Sequence, residues 1–267
     1  MRQLGTFAIL ILGASFSVQA APKPSDILDL TRWKLTLPHA KPGGEAAIEI
    51  FQPELNEFER PNCFFVDNSN SGVVFRAYCT DTTTRDSDYP RCELREMAGG
   101  KPGRAKQKPK AKWSTSDGIL HRMAVIQAIT AVPPVKKHVV AGQIHDATDD
   151  VIMIRLEDRK LFVERNKYGD VALDQDYKLG TRFTVRVEAY DGHVKVWYND
   201  TLKMDWECAR DGCYFKAGCY TQSNMSKGDK PESFGEVVIY KLMVEHIDPG
   251  NPQQSPAGDG LKASPEE

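Results

Sequence analysis

The chain has 267 residues, of which 40% are hydrophobic and 27% are charged, and its formal net charge at pH 7 is −2. This composition is that of an ordinary globular protein, and it excludes a collagen-like chain, a coiled coil and a chain that is disordered throughout. The near-neutral charge also argues against a general nucleic-acid binder. Composition does not separate one large β-sandwich from two smaller domains, so function has to be inferred from local motifs.

The first twenty residues are organised like a secretory signal peptide. Arg2 supplies a positive charge, an apolar stretch covers residues 4–18, and small residues up to Ala20 offer a cleavage site. An uncleaved membrane anchor would need about 20 unbroken apolar residues. We therefore expect residues 1–20 to be removed and the mature protein to be secreted, to the periplasm or the extracellular space, without membrane attachment.

Export would permit disulfides among the six cysteines. Cys63 and Cys79 flank a turn-rich stretch, and Cys208 and Cys213 flank the turn sequence Ala-Arg-Asp-Gly. The sequence predicts these two pairs, although the number of cysteines permits other connectivities. No cysteines and histidines have the spacing of zinc ligands, so we expect no metal site.

Short strands dominate the predicted secondary structure. Between residues 182 and 198, apolar residues alternate with polar ones around an Asp-Gly hairpin signal. Further strands are predicted at 118–131, 151–157, 160–165, 214–222 and 236–246, and one short helix at 24–30. Many short strands separated by turns predict an all-β sandwich or barrel, here one domain over residues 21–248.

Two segments do not follow this pattern. Residues 98–112 contain six basic residues and no acidic one, which predicts a basic loop. We expect that loop to reach over a binding cleft and attract polyanions, the alternative being a solvated loop far from any ligand. Residues 249–267 contain a single large apolar residue, Leu261, and predict a disordered tail.

The first of three motifs that do not look like core lies in a predicted strand around residue 93. Arg91, Glu93 and Arg95 share one face of that strand, because side chains alternate along it. A carboxylate between two guanidinium groups fixes both and leaves donors free for a ligand carboxylate. Taken alone, the pattern is more often a solvated strand face with ion pairs.

The second motif is Gln-Ile-His. Gln143 and His145 share one face of a predicted strand, with Ile144 on the other. An amide donor next to a titratable imidazole suits proton abstraction beside a carboxylate, although a lone Gln-x-His is a weak signal.

The third motif occupies residues 214–222. Lys216, Gly218, Tyr220 and Gln222 share one face, so that a cation, a bare backbone position, a phenol and an amide lie in line. Gly218 would let a ligand approach the backbone closely. The alternative is an exposed strand whose Tyr covers a neighbour.

Together and in this order, the three motifs resemble the signature motifs of the polysaccharide lyase family 7 alginate lyases. The resemblance includes the Trp-Lys-Leu-Thr-Leu-Pro segment at 33–38 and covers most of residues 21–248. It departs at Cys92, where Thr or Ser is usual, and at Cys219, where Val or Ile is usual, and both alternate away from the predicted cleft. It implies an all-β jelly roll, a β-sandwich of two antiparallel sheets with a concave substrate cleft.

The resemblance also implies an activity, the cleavage of the 1,4-glycosidic bond of alginate by β-elimination to give unsaturated uronate ends. By this resemblance, Arg91 and Gln143 neutralise the substrate carboxylate. His145 or Tyr220 takes the C5 proton, and Tyr220 protonates the departing O4. The scheme uses no cofactor and no metal, and we expect a monomer whose partner is the anionic polysaccharide, with no nucleic acid bound.

The same resemblance assigns neighbouring subsites to Glu93, Arg95, Lys216 and Gln222. We further expect Lys216 and Arg91 to favour the phenolate form of Tyr220. The Gln-Ile-His form is associated in the family with acceptance of guluronate-containing blocks. The sequence leaves open the preference between mannuronate and guluronate, endo or exo action, and the identity of the base on each uronate.

Three other functions compete with this interpretation. A jelly-roll glycoside hydrolase needs two suitably placed carboxylates, but Glu157 and Asp158 are adjacent and diverge, and Glu93 is flanked by arginines. A non-catalytic carbohydrate-binding protein would use the same groove without cutting, yet binding alone does not require a His and a Tyr beside an arginine-clamped carboxylate. A lyase for glucuronan remains open, because the elimination chemistry is the same.

Overall fold

The computed structural model describes residues 21–251 apart from residues 45, 86 and 100–108. The predicted signal peptide therefore lies outside the described residues, as do the centre of the basic loop and residues 252–267 of the predicted tail. The described chain contains one short helix, α1 (Pro24–Ile27), and three single turns of 3-10 helix at Glu54–Asn56, Asn166–Tyr168 and Met225–Lys227. None of its helices has the length and apolarity that a bilayer crossing requires.

All other regular structure is β. In chain order the strands are β1 (Trp33–Ala40), β2 (Ala47–Ile50), β3 (Phe64–Val66), β4 (Val73–Tyr78), β5 (Arg91–Glu96), β6 (Leu120–Ala131), β7 (His138–His145), β8 (Asp150–Glu157), β9 (Lys160–Glu164), β10 (Val171–Asp174), β11 (Phe183–Tyr190), β12 (His193–Tyr198), β13 (Thr201–Glu207), β14 (Tyr214–Tyr220) and β15 (Phe234–Ile247).

These strands form two antiparallel sheets. The first has the order β10-β9-β8-β7-β14-β5-β1-β2, and the second has the order β13-β12-β11-β6-β15-β4-β3. Strands adjacent in one sheet are often distant in sequence, as in a jelly roll, where the chain passes repeatedly between the sheets. The predicted β-sandwich of two antiparallel sheets is confirmed, and β5, β14 and β7 lie side by side at the centre of the first sheet.

The hydrophobic core lies between the two sheets. Leu94 of β5 and Phe215 and Ala217 of β14 are fully buried, and Phe75 of the second sheet packs behind Gly218. Because side chains alternate along a strand, the residues between these apolar ones point to the opposite face. We call that opposite side of the first sheet its polar face.

Glu96, the last residue of β5, points inward and ties the sheets together. Its carboxylate accepts hydrogen bonds from the Phe215 backbone N–H at 2.9 Å, from Trp113 Nε1 at 3.0 Å and from His246 Nε2 at 2.6 Å. A buried carboxylate with several donors holds its neighbours in one arrangement. These bonds fix the beginning of β14 against β5 and, through His246, against β15 of the second sheet.

The two predicted disulfides are not found, since all six cysteines are buried free thiols. Phe64 pairs with Phe75, so Cys63 lies opposite Arg76, three residues from Cys79. That offset is about 10 Å along the strand, beyond the reach of a disulfide.

Cys208 and Cys213 are free thiols as well. The backbone N–H of Cys208 is bound to the carbonyl of Gly192 at 2.7 Å, and that of Cys213 to the carbonyl of Trp113 at 2.7 Å. These backbone bonds do not separate the two side chains: burial raises the pKa of Cys213, and the charge of Cys208 adds to the shift, so the two thiols lie near each other and their pairing stays a prediction.

Candidate active site

The three sequence motifs lie on adjacent strands of the first sheet. β14 runs between β5 and β7, and its register pairs Lys216 with Arg95 and Gln143, Gly218 with Glu93, Tyr220 with Arg91 and Val140, and Tyr214 with His145. Every second residue of each strand points to the polar face, so these pairs place polar side chains of neighbouring strands next to one another. The pairing brings Arg91, Glu93, Arg95, Gln143, His145, Lys216 and Tyr220 together on the polar face.

Glu93 is at the centre of this cluster and is only 2% exposed. Its carboxylate accepts from Arg91 Nη1 at 2.9 Å, from Lys216 Nζ at 2.9 Å and from the Gln143 amide. Burial opposes ionisation of Glu93, but the charges of Lys216 and Arg91 outweigh it and lower the pKa of Glu93. Glu93 is thus a buried anchor for three neighbours rather than a residue that lines a separate subsite.

Positive charge exceeds negative charge in the cluster. Burial, together with the charge of Arg91, lowers the pKa of Lys216 to about 8, so this ammonium group remains charged at neutral pH. The cluster then holds three cations, Arg91, Arg95 and Lys216, and one anion, Glu93. The buried Nε atoms of both arginines have no protein partner among the described residues, and such unsatisfied donors suit an anionic ligand.

Tyr220 lies beside Arg91 at one end of the cluster. The guanidinium carbon of Arg91 is 4.0 Å from the centroid of the Tyr220 ring, and Ser87 Oγ accepts from Arg91 Nη2 at 2.7 Å and lies 3.4 Å from the Tyr220 hydroxyl. Burial raises the pKa of Tyr220, and the opposing effect of Arg91 does not cancel it. The expectation of a phenolate is therefore wrong, and Tyr220 is equipped to donate a proton.

His145 lies at the other end, where its ring stacks on Tyr214 with 5.2 Å between the centroids. Arg95 packs over Tyr214 as well, at 3.8 Å. His145 Nδ1 is 2.8 Å from the backbone carbonyl of Asp146; since a carbonyl only accepts, Nδ1 carries the proton and Nε2 is left as an acceptor. Burial and then the charge of Lys216 lower the pKa of His145, which keeps the imidazole neutral and able to act as a base.

His145 and Tyr220 do not face each other directly in the sheet. His145 pairs with Tyr214, whereas Tyr220 pairs with Val140. The charges of Arg91 and Glu93 nevertheless contribute to the pKa shifts of both His145 and Tyr220, because Arg91 and Glu93 lie between these two residues. The cluster therefore has a neutral acceptor at one end and a protonated donor at the other.

Gln222 does not continue the row that the sequence predicted. β14 ends at Tyr220, and Gln222 adopts a left-handed backbone with φ 47°. Its amide nitrogen lies 3.8 Å from Met153 Sδ, and its buried Oε1 has no partner among the described residues. Met153 pairs with Gln143, so Gln222 reaches the polar face from the β8 side.

Sequence reasoning missed two residues of the cluster. Tyr214 belongs to the third motif, and strand alternation from Lys216 would have placed it on the same face. Ser87 lies in the irregular segment before β5, and no local pattern indicated its contact with Arg91. Tyr214 was therefore detectable from its spacing, whereas Ser87 was not.

The base of the predicted basic loop lies beside the cluster. Met97 and Lys110 form an antiparallel bridge, and the backbone N–H of Ala98 donates to Pro109 at 2.7 Å. Burial lowers the pKa of Lys34, and the charges of Arg95 and Lys110 contribute in the same direction. The described ends of the loop thus add positive charge near Arg95, and residues 100–108 lie outside the described residues.

Gly218 has no room for a side chain. Its φ is 129°, and an added Cβ would lie 2.7 Å from the backbone oxygen of Cys92. We expect Gly218→Ala to lower the free energy of unfolding by about 1–3 kcal/mol, because both the backbone and the contact are strained. Urea unfolding measures this loss. Gly180→Ala is the matched control, since Gly180 also has a positive φ but no atom within 4 Å of its added Cβ; equal losses in both variants would show that the close contact carries no cost.

The comparisons with known proteins agree on one family. Residues 28–246 match the family model described as alginate lyase. A curated alginate lyase from Klebsiella pneumoniae is 24% identical over 298 residues, which is 90% of this chain and 96% of that protein.

Two solved structures are more similar. The alginate lyase AlgAT5 from polysaccharide lyase family 7 is 52% identical with a TM-score of 0.78, over 84% of this chain and 99% of that chain. An alginate lyase from Corynebacterium sp. is 39% identical with a TM-score of 0.77, over 85% and 100%.

Proposed function

Since the chain belongs to the polysaccharide lyase family 7 alginate lyases, we propose that it cleaves alginate by β-elimination on the polar face of its first sheet. One observation carries this proposal: a buried cluster with excess positive charge has a neutral imidazole acceptor at one end and a protonated phenol at the other. A polyuronate matches this arrangement, because each of its sugars carries a carboxylate next to an acidic carbon.

Stabilisation of the developing negative charge is the first requirement. The C5 proton of a uronate is α to the carboxylate, and its removal gives an enolate-like dianion that cationic groups and hydrogen-bond donors must hold. Arg91 and Gln143 each keep a donor that Glu93 does not occupy. We assign them to the substrate carboxylate, and because side chains neutralise it, the scheme uses no metal.

Proton transfer is the second requirement. His145 Nε2 takes the C5 proton, the electron pair of that bond forms the C4–C5 double bond, and the C4–O4 bond breaks as O4 receives the Tyr220 proton. Where the C5 proton and O4 lie on the same face of the sugar, Tyr220 could serve as base and then as acid only after its hydroxyl has lost its proton, which the raised pKa of Tyr220 opposes. The choice therefore depends on the uronate, since mannuronate and guluronate differ in configuration at C5.

The test is to incubate the protein with poly-mannuronate, poly-guluronate and glucuronan and to follow the ultraviolet absorbance of the unsaturated product. We expect absorbance to rise with at least one of the two alginate polymers. A rise with glucuronan only would show that the protein is a lyase for another polyuronate. Binding without absorbance on any polymer would show a non-catalytic carbohydrate-binding protein and would overturn the proposal.

The pH profile offers a separate prediction. The lowered pKa of His145 keeps the base unprotonated in weakly acidic solution. Lys216, with a pKa of about 8, loses its charge above that pH, and its attraction for Glu93 and for the substrate carboxylate weakens. We therefore expect kcat/KM to fall on the acid side only below the ordinary histidine range and on the alkaline side near pH 8. A kcat/KM that stays level up to about pH 10 would contradict the role of the charged Lys216.

We further propose that the mature protein is secreted and monomeric. The signal-like sequence of residues 1–20 supports export. N-terminal sequencing of protein recovered outside the cytoplasm should begin at or near Ala21, and size-exclusion chromatography should give the mass of one chain. An unprocessed N-terminus or a dimer mass would overturn the corresponding part.

A further inference from the structure

Ser87 contacts two residues of the cluster that act in different steps of the proposed reaction. Its Oγ accepts a hydrogen bond from Arg91 Nη2 at 2.7 Å and lies 3.4 Å from the Tyr220 hydroxyl. Arg91 is assigned to the substrate carboxylate, and Tyr220 is assigned to the departing O4. A side chain that contacts both can therefore link the binding of the carboxylate to the transfer of the proton.

The segment that carries Ser87 is held by the residues that follow β14. The backbone carbonyl of Asp88 accepts a hydrogen bond from Asn224 Nδ2 at 3.0 Å, and that of Pro90 accepts one from the Thr221 backbone N–H at 3.3 Å. Pro90 itself is buried. Because these bonds tie the segment to the chain just beyond β14, they place the Ser87 hydroxyl beside the phenol at the end of that strand.

The direction of the hydrogen bonds follows from the chemistry of the partners. A guanidinium group only donates, so Ser87 Oγ is the acceptor in its bond with Arg91, and its own hydrogen can turn to another partner. Two acceptors lie 3.4 Å from that oxygen, the Tyr220 hydroxyl and the backbone carbonyl of Tyr89. When the Tyr220 proton points toward O4 of the substrate, the phenol oxygen is left as an acceptor, and Ser87 can donate to it.

Proton transfer changes which of the two acceptors is stronger. As Tyr220 gives its proton to O4, negative charge develops on the phenol oxygen, and hydrogen bonds to charged acceptors are roughly twice as strong as those between neutral groups. Ser87 should then favour Tyr220 over the neutral carbonyl of Tyr89, and the distance of 3.4 Å should shorten, as catalytic hydrogen bonds often do when substrate binds. Arg91 strengthens the new bond, because it polarises the hydroxyl to which it donates.

The resting phenol and the phenolate that follows it make opposite demands on their surroundings. Burial raises the pKa of Tyr220, and the charges of Glu93 and Tyr89 add to the rise, whereas Arg91 and the hydrogen bond with Ser87 act in the opposite direction. Burial thus keeps the phenol protonated before the reaction, but it makes the phenolate costly afterwards. A hydrogen bond that strengthens only as the phenolate forms lowers this cost and leaves the proton on the resting phenol.

We propose that Ser87 is a positioning residue for proton donation, which holds the Tyr220 oxygen through its own O–H and stabilises the phenolate that remains after O4 has been protonated. The Ser87 proton stays on Ser87: Tyr220 passes its own proton to O4 and regains one from water, while His145 returns the C5 proton to water. This inference rests on the proposed function, since it assigns Ser87 to the proton donor of that reaction. Arg91 orients Ser87 while it binds the substrate carboxylate, so the two steps are coupled.

A double-mutant cycle tests the assignment in the reaction. Ser87→Ala should lower kcat on alginate by about 5–30-fold, with a smaller change in KM, because a hydrogen bond to a developing charge is lost. Ser87→Thr keeps the hydroxyl and should recover most of the rate. In a Tyr220→Phe background, Ser87→Ala should cause no further loss, since no phenolate forms there. An equal loss in both backgrounds would overturn the proposal, because it would show a structural effect that does not depend on the phenol.

Ser25→Ala is the matched control for Ser87→Ala. Ser25 lies in α1, is half-buried like Ser87, and donates its hydroxyl to the carbonyl of Asn56 at 2.6 Å. Its replacement also removes one hydroxyl from the protein, but we expect the rate on alginate to equal that of the wild type. A loss of rate in Ser25→Ala as large as that in Ser87→Ala would also overturn the proposal.

A titration that needs no substrate separates this proposal from the lyase activity. The protein is labelled with ring-fluorinated tyrosine and observed by fluorine NMR, and the Tyr220 signal is identified by its absence from Tyr220→Phe. We expect Ser87→Ala to move the titration of Tyr220 upward by about one pH unit and Ser25→Ala to leave it unchanged. An unchanged titration in Ser87→Ala would overturn the proposal. A shifted titration without unsaturated product from the wild type would support the hydrogen bond between Ser87 and Tyr220 and overturn the proposed lyase activity instead.

Discussion

Replacing Tyr220 by Phe is expected to lower kcat on alginate by about 10²–10⁴-fold, because the variant keeps the ring but lacks the proton that O4 needs. Burial raises the pKa of Tyr220, so the wild-type hydroxyl is protonated and ready to donate at neutral pH. The Arg91 guanidinium packs over the ring and not on the hydroxyl, so substrate binding should change little. The prediction is therefore a loss in kcat with a nearly constant KM, measured from initial rates of ultraviolet absorbance.

Two further variants sharpen this result. Tyr190→Phe is the control, because Tyr190 is 41% exposed and lies on the other sheet, and its rate should equal that of the wild type. His145→Asn removes the Nε2 acceptor, and we expect it to lower the rate on the uronate that needs a separate base more than on the other one. If Tyr220→Phe retains its rate on both uronates, the assignment of the proton donor is wrong, even if the protein is a lyase.

Replacing Glu93 by Gln is expected to lower the free energy of unfolding by about 3–5 kcal/mol, since it leaves Arg91 and Lys216 buried without their shared anion. Glu93 is 2% exposed and Lys216 is 6% exposed, so water does not replace the lost charge. One amide oxygen cannot accept all three donors, and the new NH₂ group faces cations. Urea unfolding at neutral pH measures the loss, which should be accompanied by a large loss of activity.

The pH dependence of that loss tests its electrostatic origin. Burial and the charge of Arg91 already lower the pKa of Lys216, and without Glu93 it should fall further. A lowered Lys pKa means that the unfolded chain binds more protons, so stability rises with pH through that range. The destabilisation should therefore shrink between about pH 7 and pH 9.

Asp158→Asn is the control for Glu93→Gln. Asp158 forms an exposed ion pair with Lys137, in which the two side chains are 65% and 50% exposed, and its loss should cost less than about 1 kcal/mol. A Glu93→Gln variant as stable as this control would mean that the central carboxylate does not hold the cluster together.

Strand alternation is the reason that so much of the site could be predicted. It is a local property, and it placed Arg91, Glu93 and Arg95 on one face before any sheet was known. In the same way, alternation placed Gln143 and His145 on one face of their strand. What it did not supply was the register between strands, which pairs Lys216 with both Arg95 and Gln143 and makes Glu93 a shared anchor.

The errors have non-local causes. Cys63 and Cys79 flank a turn-like sequence, but their separation depends on the register of β3 and β4. The phenolate form of Tyr220 was expected from nearby cations, whereas its pKa is governed first by burial, which a sequence does not give. Gln222 follows the alternation only while the strand lasts, and the strand ends at Tyr220.

The mass of the products tests the central claim most directly. Hydrolysis adds one water for each bond cut, whereas β-elimination adds none and leaves a C4–C5 double bond. Mass spectrometry of the oligomers released from poly-mannuronate and poly-guluronate should therefore give new ends that lack one water relative to hydrolysis products, and Tyr220→Phe should release few of them. Oligomers with the full mass of hydrolysis products would contradict the account, because a cluster built around Glu93, His145 and Tyr220 would then be cleaving by another chemistry.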